Sequence, residues 1–362
     1  MNQLTHWRLF VDESGSFSAP RDPREHLVLA GVLMRERDGH GLATELLALT
    51  RRFFPGLPTP LHAAHLFSPA FHLLHRHAGP TVGPLREPLE ALAAGVGVKG
   101  LARLDEAAGG HDVPPFAVLE AWTRLWLPSG GALAASVKAL REQVQLRVHR
   151  ILSAIAAAYG PDGCALVGVV HAEGEDARDT ATLYPQMFTT MAERVLSLRR
   201  QRPQAHEEVF VLAEERGGVT RDLLAASLLA AEGFPLLLPE RLPDPQLRLH
   251  ALEPQGKDGQ DPGIVLADLA AALLRRHAPG FRSWSELLSW APHGLGLPVQ
   301  LCAPGLGEGA LPTLTTLRSS DWLREGLWST APGPSDPPRG WGGDQARRWL
   351  AAARTRTLEV AA

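Results

Sequence analysis

Cysteine is nearly missing from this 362-residue chain, which has only Cys164 and Cys302. Neither has a CxxC partner, which argues against a thiolate zinc site and against a disulfide framework. A reducing compartment, the cytoplasm, is the expected location. Long apolar runs are lacking as well. The longest candidate, Ile264 to Leu274, contains Asp268 and is too short to cross a membrane. The N-terminus has no basic segment followed by an apolar core, so no signal peptide is expected. Excess positive charge is also absent: the formal charge is −3 and the isoelectric point about 6.6. Composition therefore does not mark a dedicated non-specific nucleic-acid binder, although a local basic groove stays open to it. Ser14 has no Gly-x-Ser-x-Gly context, which argues against a serine hydrolase. Gly15, Gly31 and Gly217 form neither a GxGxxG nor a P-loop pattern.

What is present is an ordinary globular composition, 45% hydrophobic and 21% charged, with ample length for a core. Trp7 to Val11 is a compact β-type run ending in acid. His26 to Leu33 is a second apolar run, and the segment 25–34 pairs back on the first as a hairpin across a turn holding Pro20, Asp22 and Pro23. Residues 39–54 have helical periodicity through Leu42, Leu46, Leu49 and Phe53, stopped by Pro55, Pro58 and Pro60. The stretch 62–77 is histidine-rich and helical in part. Residues 80–130 alternate helical pieces with Pro and Gly breaks, and 132–159 is one long helical pattern ended by Gly160-Pro161-Asp162-Gly163.

Strand-like runs follow at 165–171, 208–213 and 247–252, separated by helical patterns at 179–200 and 220–231. Asp261-Pro262 opens a last helix over 264–277, with Asp as the cap and Pro in the first turn. A hairpin followed by strand–helix units predicts an α/β domain, a mixed sheet flanked by helices, over residues 1–280 with a helical insertion at about 80–158. Beyond residue 280 the character changes. Trp284, Trp290, Trp322, Trp328, Trp341 and Trp349 fall there, six of the nine tryptophans. This part reads as a Trp-rich C-terminal extension, 281–362, packed on the domain.

Three acids stand in apolar company. Asp12 and Glu214 each end an apolar strand, and Asp268 lies inside the helix Val265-Leu266-Ala267-Asp268-Leu269-Ala270. A buried, unpaired carboxylate costs several kcal/mol, so a partner or a cation must compensate. Carboxylates converging from two strand ends and a helix suit a hard divalent ion such as Mg²⁺ or Mn²⁺. Ordinary explanations exist for each: a strand-end turn at Asp12, pairing of Glu214 with Arg216 or Arg221, a solvent-facing Asp268. Alternation along the strand sends the neighbours Glu13 and Glu215 to the other face, where they would support the site or meet solvent. The i,i+3 spacing of His62/His65 and His72/His75 would line one helical face for a metal, while His62 alone suits a proton shuttle or substrate contact. His171 ends a strand and would project toward the same site.

The run Phe10-Val11-Asp12-Glu13-Ser14-Gly15 resembles the opening signature of a bacterial family of unknown function, the one numbered 3800. Three further pieces resemble its motifs in the same order. His62 in Leu61-His62-Ala63 matches an acid-x-His element, and Ala213-Glu214-Glu215-Arg216-Gly217 a Glu-x-Arg-Gly strand end. Ile264-Val265-Leu266-Ala267-Asp268-Leu269 matches a Leu-Gln-x-Ala-Asp-Leu helix. Two positions depart from that pattern: Val265 replaces the Gln, and Thr59-Pro60-Leu61 supplies no acid before His62. The resemblance, over about residues 5–280, implies a ribonuclease H-like fold and a metal-dependent nuclease active on RNA or DNA. In it Asp12, Glu214 and Asp268 would bind Mg²⁺ or Mn²⁺. His62 would complete the catalytic set, and Glu13, Glu215, Arg216 and His171 would support it or touch substrate. A role in bacterial defence against mobile elements would fit such an enzyme. The alternative is a non-catalytic module on the same scaffold that binds nucleic acid, a protein partner or a second copy of itself.

Overall fold

The computed structural model describes residues 5–15, 27–36, 40–77, 85–109, 114–127, 131–159, 163–171, 207–215, 219–233, 247–255, 261–277, 299–302 and 315–317, and helical residues 184–185, 187–192 and 195–196. The chain divides into two compact units, one formed by 1–39 with 156–362 and the other by 40–155.

The first unit is an α/β domain built on a mixed sheet. Strand β1 (Thr5–Ser14) is central, because Trp7, Leu9 and Val11 on one face and Phe10 on the other are all buried. Antiparallel to it runs β2 (Leu27–Arg35), and antiparallel to β2 runs β3 (Cys164–His171). On its other side β1 pairs in parallel with β4 (Glu207–Ala213), which pairs in parallel with β5 (Leu247–Ala251). Two short strands, β6 (Val299–Cys302) and β7 (Thr315–Leu317), extend the β3 edge, giving the order β5-β4-β1-β2-β3-β6-β7. The hairpin expected from the two apolar runs is thus present, with Asp12 opposite Ala30.

Alternation decides what each face meets. Leu9 and Val11 join Leu27, Leu29, Leu33, Val167, Val169, Val209 and Val211 in a core that includes Tyr184, Met187, Phe188, Met191, Leu224 and Leu228. Each buried side chain of this size contributes roughly 1.5–3 kcal/mol. Leu224 and Leu228 lie on the helix Arg221–Gly233, numbered α7 below. The opposite face carries Phe10 and is covered by the helix Pro262–His277, α8, whose Gly263 abuts the Phe10 ring. Helix α8 starts as the sequence predicts: the Gly263 N–H donates to Asp261 Oδ1 at 2.8 Å, and Pro262 fills the first turn.

The second unit is all helical: α1 (His40–Phe53), α2 (Ala63–Leu66), α3 (Pro69–Leu74), α4 (Arg86–Ala108), α5 (Phe116–Trp126) and most of α6 (Gly131–Tyr159). It takes in α1 to α3 as well as the stretch from 80 onward, so it starts at residue 40. Helix α6 buries Leu140, Val144, Val148, Ile151, Leu152 and Ile155, a stripe at three- and four-residue spacing. The six C-terminal tryptophans and the helical pattern's ends at 179–183 and 197–200 lie outside the described residues. Among the described residues no helix is long and apolar enough to cross a membrane.

Candidate metal centre

Two neighbouring parallel strands end side by side. The β1/β4 register pairs Val11 with Ala213, and one step further stand Asp12 and Glu214. The Glu214 N–H donates to the Val11 carbonyl at 3.1 Å, and Glu214 bridges in parallel to Gln255, so the ladder continues past the end of β4. Partners in a parallel ladder point to the same face. Since Val11 and Ala213 enter the core, Asp12 and Glu214 turn to the face that α8 covers. The site therefore sits at the carboxyl ends of adjacent strands, where open α/β sheets gather their ligands. Gly15, at φ 121°, then turns the chain away with a backbone that favours glycine.

Asp12, Glu13 and Glu214 each bring a carboxylate oxygen to within 4.8 Å of the others. Asp12 is 3% exposed and Glu214 7%. The Glu13 N–H donates to Asp12 Oδ1 at 2.7 Å, fixing that carboxylate's orientation. Burial pushes the Asp12 carboxyl well above the usual aspartate range. The negative charge of Asp268 adds to the rise, followed by a side-chain hydrogen bond with Glu214 and the charges of Glu214 and Glu13. A carboxyl raised by burial and by neighbouring acids marks a site short of positive charge. All the donors are oxygens, which fits a hard divalent cation and not a soft metal. A cation there would exchange for the shared proton and relieve the repulsion.

Glu13 corrects the expectation from alternation. Its Cβ belongs to the far face, but alternation does not limit a side chain that carries a methylene and a carboxylate beyond its Cβ at the last residues of a strand. Its carboxylate lies in the group with Asp12 and Glu214. The overlooked signal was its place, two residues before the turn glycine. Asp268 is half-buried on α8 and close enough to act on Asp12, yet it stands outside the group within 4.8 Å. Glu215 is exposed, its N–H donating to the Gln255 carbonyl at 2.8 Å. Arg216 lies outside the described residues, as does the side chain of His171, whose backbone pairs with Leu27 at the end of β3.

His62 belongs to the helical unit, where it precedes α2 and meets His65 edge to face at 5.4 Å. His65 stacks on Phe71, and His75 contacts the same ring. His72 is buried and donates from Nε2 to the Leu66 carbonyl at 2.6 Å. These histidines pack around an aromatic side chain, and none belongs to a metal-ligand cluster among the described residues. Comparison with family models, with curated proteins and with solved structures gave no match.

Proposed function

We propose that this chain is a metal-dependent nuclease with a ribonuclease H-like fold, hydrolysing phosphodiester bonds of RNA or DNA. The observation that carries the reading is the convergence of Asp12, Glu13 and Glu214 within 4.8 Å at two strand ends, with Asp268 acting on Asp12 from the covering helix. Support for the scaffold comes from the strand order β5-β4-β1-β2-β3, a β1–β2–β3 antiparallel meander joined by parallel β4 and β5. The resemblance of the Asp12, Glu214 and Asp268 motifs to the family numbered 3800 points the same way.

Asp12, Glu13 and Glu214 would hold Mg²⁺ or Mn²⁺, with Asp268 adding negative charge beside them. A bound divalent ion supplies Lewis acidity and activates water toward a phosphodiester. The chain's own contribution is orientation and charge. The Glu13 amide locks the Asp12 carboxylate, the β1/β4 ladder fixes Glu214 against it, and burial keeps bulk water from screening either.

The test is cleavage of labelled single-stranded, duplex and hybrid substrates with Mg²⁺, Mn²⁺ or EDTA. Asp12→Ala and Asp268→Ala are each expected to lower the metal-dependent rate by about 100-fold or more, since even residues behind a ligand are worth about 10–100-fold. Cleavage that survives in both variants, or in EDTA, would sink the reading.

A further inference from the structure

Charge is divided unevenly between the two units. Residues 40–155 carry eleven Lys and Arg against eight Asp and Glu, an excess of three positive charges in a chain whose total is −3. Within that unit the excess sits on two helices. α1 and the part of α6 up to Ile155 hold six of the cations, Arg51, Arg52, Lys138, Arg141, Arg147 and Arg150, and only two of the acids, Glu45 and Glu142.

Pairing sharpens the contrast. Arg76, Arg86, Arg103, Arg124 and Lys138 each have a carboxylate partner. Among the described residues, Arg51, Arg52, Lys99, Arg141, Arg147 and Arg150 have none. Four of them, Arg51, Arg52, Arg147 and Arg150, are linked through Arg147. Arg147 is buried and donates from Nη1 to the carbonyl of Phe53, the last residue of α1, so it ties the middle of α6 to the turn that carries Arg51 and Arg52. Arg150, one turn along α6, lies close enough to act on Arg147, and Arg147 in turn acts on His72 of α3. The negative end of a helix dipole favours Arg51 and Arg52. It does nothing for Arg147 and Arg150, which stand more than two turns from the end of α6.

We propose that this face of the helical unit, Arg51 and Arg52 at the end of α1 with Arg150 on α6, binds the sugar–phosphate backbone of nucleic acid. Three exposed arginines suit phosphate, because the planar guanidinium matches two phosphate oxygens at once. An anionic lipid surface fits worse. Among the described residues of α1 and α6 only Leu47 and Leu146 are large exposed hydrophobics, too little apolar surface for a face that inserts. Arg147 is the post of the cluster; Arg51, Arg52 and Arg150 are exposed and make the contacts. Any link from this surface to cleavage rests on the nuclease reading, whereas binding does not.

The experiment measures anisotropy of fluorescein-labelled single-stranded and duplex RNA and DNA with the full chain in EDTA, across salt concentration. The variants are Arg51→Gln/Arg52→Gln/Arg150→Gln and the same triple to Lys. Each lost phosphate contact lowers the slope of log affinity on log salt by about 0.9 for duplex and ~0.7 for single strands. The Gln triple is therefore expected to lower the duplex slope by about 2.7, equally for all sequences. The Lys triple is expected to keep it. A Gln triple with the wild-type slope overturns the proposal, as does a wild-type chain that binds anionic phospholipid vesicles but no nucleic acid. Binding that behaves as expected in a protein that cuts nothing removes the nuclease reading and leaves this surface. Cleavage by a Gln triple whose binding is unchanged does the reverse.

Discussion

Replacing Asp12 by Asn isolates what the acidic cluster costs the fold. Asn keeps the shape, and its Oδ1 can still accept from the Glu13 amide. Its Nδ2 supplies the hydrogen that Asp12, when protonated, would share with Glu214. Only the charge goes. Two unit charges 4.8 Å apart repel by about 3.5 kcal/mol at an effective dielectric of ~20. The carboxyls titrate together and are not all ionised at once, so about half of one such pair, ~1.7 kcal/mol, is the expected relief. A domain of comparable size gains about 2–4 °C in Tm per kcal/mol, hence roughly 3–7 °C here.

The sign follows from linkage. Asp12 holds its proton more tightly folded than unfolded, because burial and then Asp268 raise its carboxyl. In the window above the ordinary aspartate value, the folded state binds more protons than the unfolded one. Its stability therefore falls as pH rises through that window. The assay is calorimetry near neutral pH, first in EDTA and then with Mg²⁺ or Mn²⁺. In EDTA, Asp12→Asn should melt above wild type. A divalent ion at about 100 times its Kd stabilises wild type by ~2.7 kcal/mol and leaves the variant nearly unchanged, so the order reverses. A variant that melts below wild type in EDTA refutes the electrostatic reasoning. Equal responses to the ion refute Asp12 as its ligand.

Four further outcomes follow from packing and charge. At Gly263 an added Cβ would lie 2.3–2.4 Å from the Phe10 ring. Gly263→Ala should therefore cost about 1–3 kcal/mol in a melt and weaken ion-induced stabilisation by shifting α8 with Asp268. At Gly31 the nearest atoms, Leu9 Cδ1 and Met191 Sδ, lie at 2.9 Å on flexible side chains, so Gly31→Ala should cost less. Burial pushes the His72 imidazole down to about 4, so stability should drop as pH falls from about 6.5 through 4, by about 3 kcal/mol. His72→Gln should flatten that acid limb in pH-dependent denaturation. The Arg141 side chain is partly desolvated, which lowers its pKa, and its Nε is buried without an acceptor. Arg141→Met should leave the denaturation midpoint unchanged or higher, and a loss above about 1 kcal/mol would show an overlooked partner.

The sheet was legible because its strands are apolar on both faces and its turn signals are strong. Val28, Ala30 and Val32 on one face of β2, with Leu27, Leu29 and Leu33 on the other, leave no reading but a covered central strand. The start of α8 was equally plain, since Asp261-Pro262 combines a cap with a fixed φ. The extent of the helical unit was not. Residues 40–77 have the same amphipathic periodicity whether they pack on a sheet or on other helices, and only long-range contacts decide between the two.

The candidate site was half legible for a related reason. Sequence shows that an acid ends β1 and that another ends β4, but not that the two strands are neighbours in register. That register, Val11 with Ala213, turns two separate strand-end acids into one site. Glu13 shows the limit of period-two reasoning. The rule fixes where a Cβ starts, and a glutamate before a turn glycine has the length to finish elsewhere. If its carboxylate is a ligand, Glu13→Gln should weaken ion-induced stabilisation while Glu215→Gln, at an exposed carboxylate, should not. Equal effects from the two would return Glu13 to the role that alternation gave it.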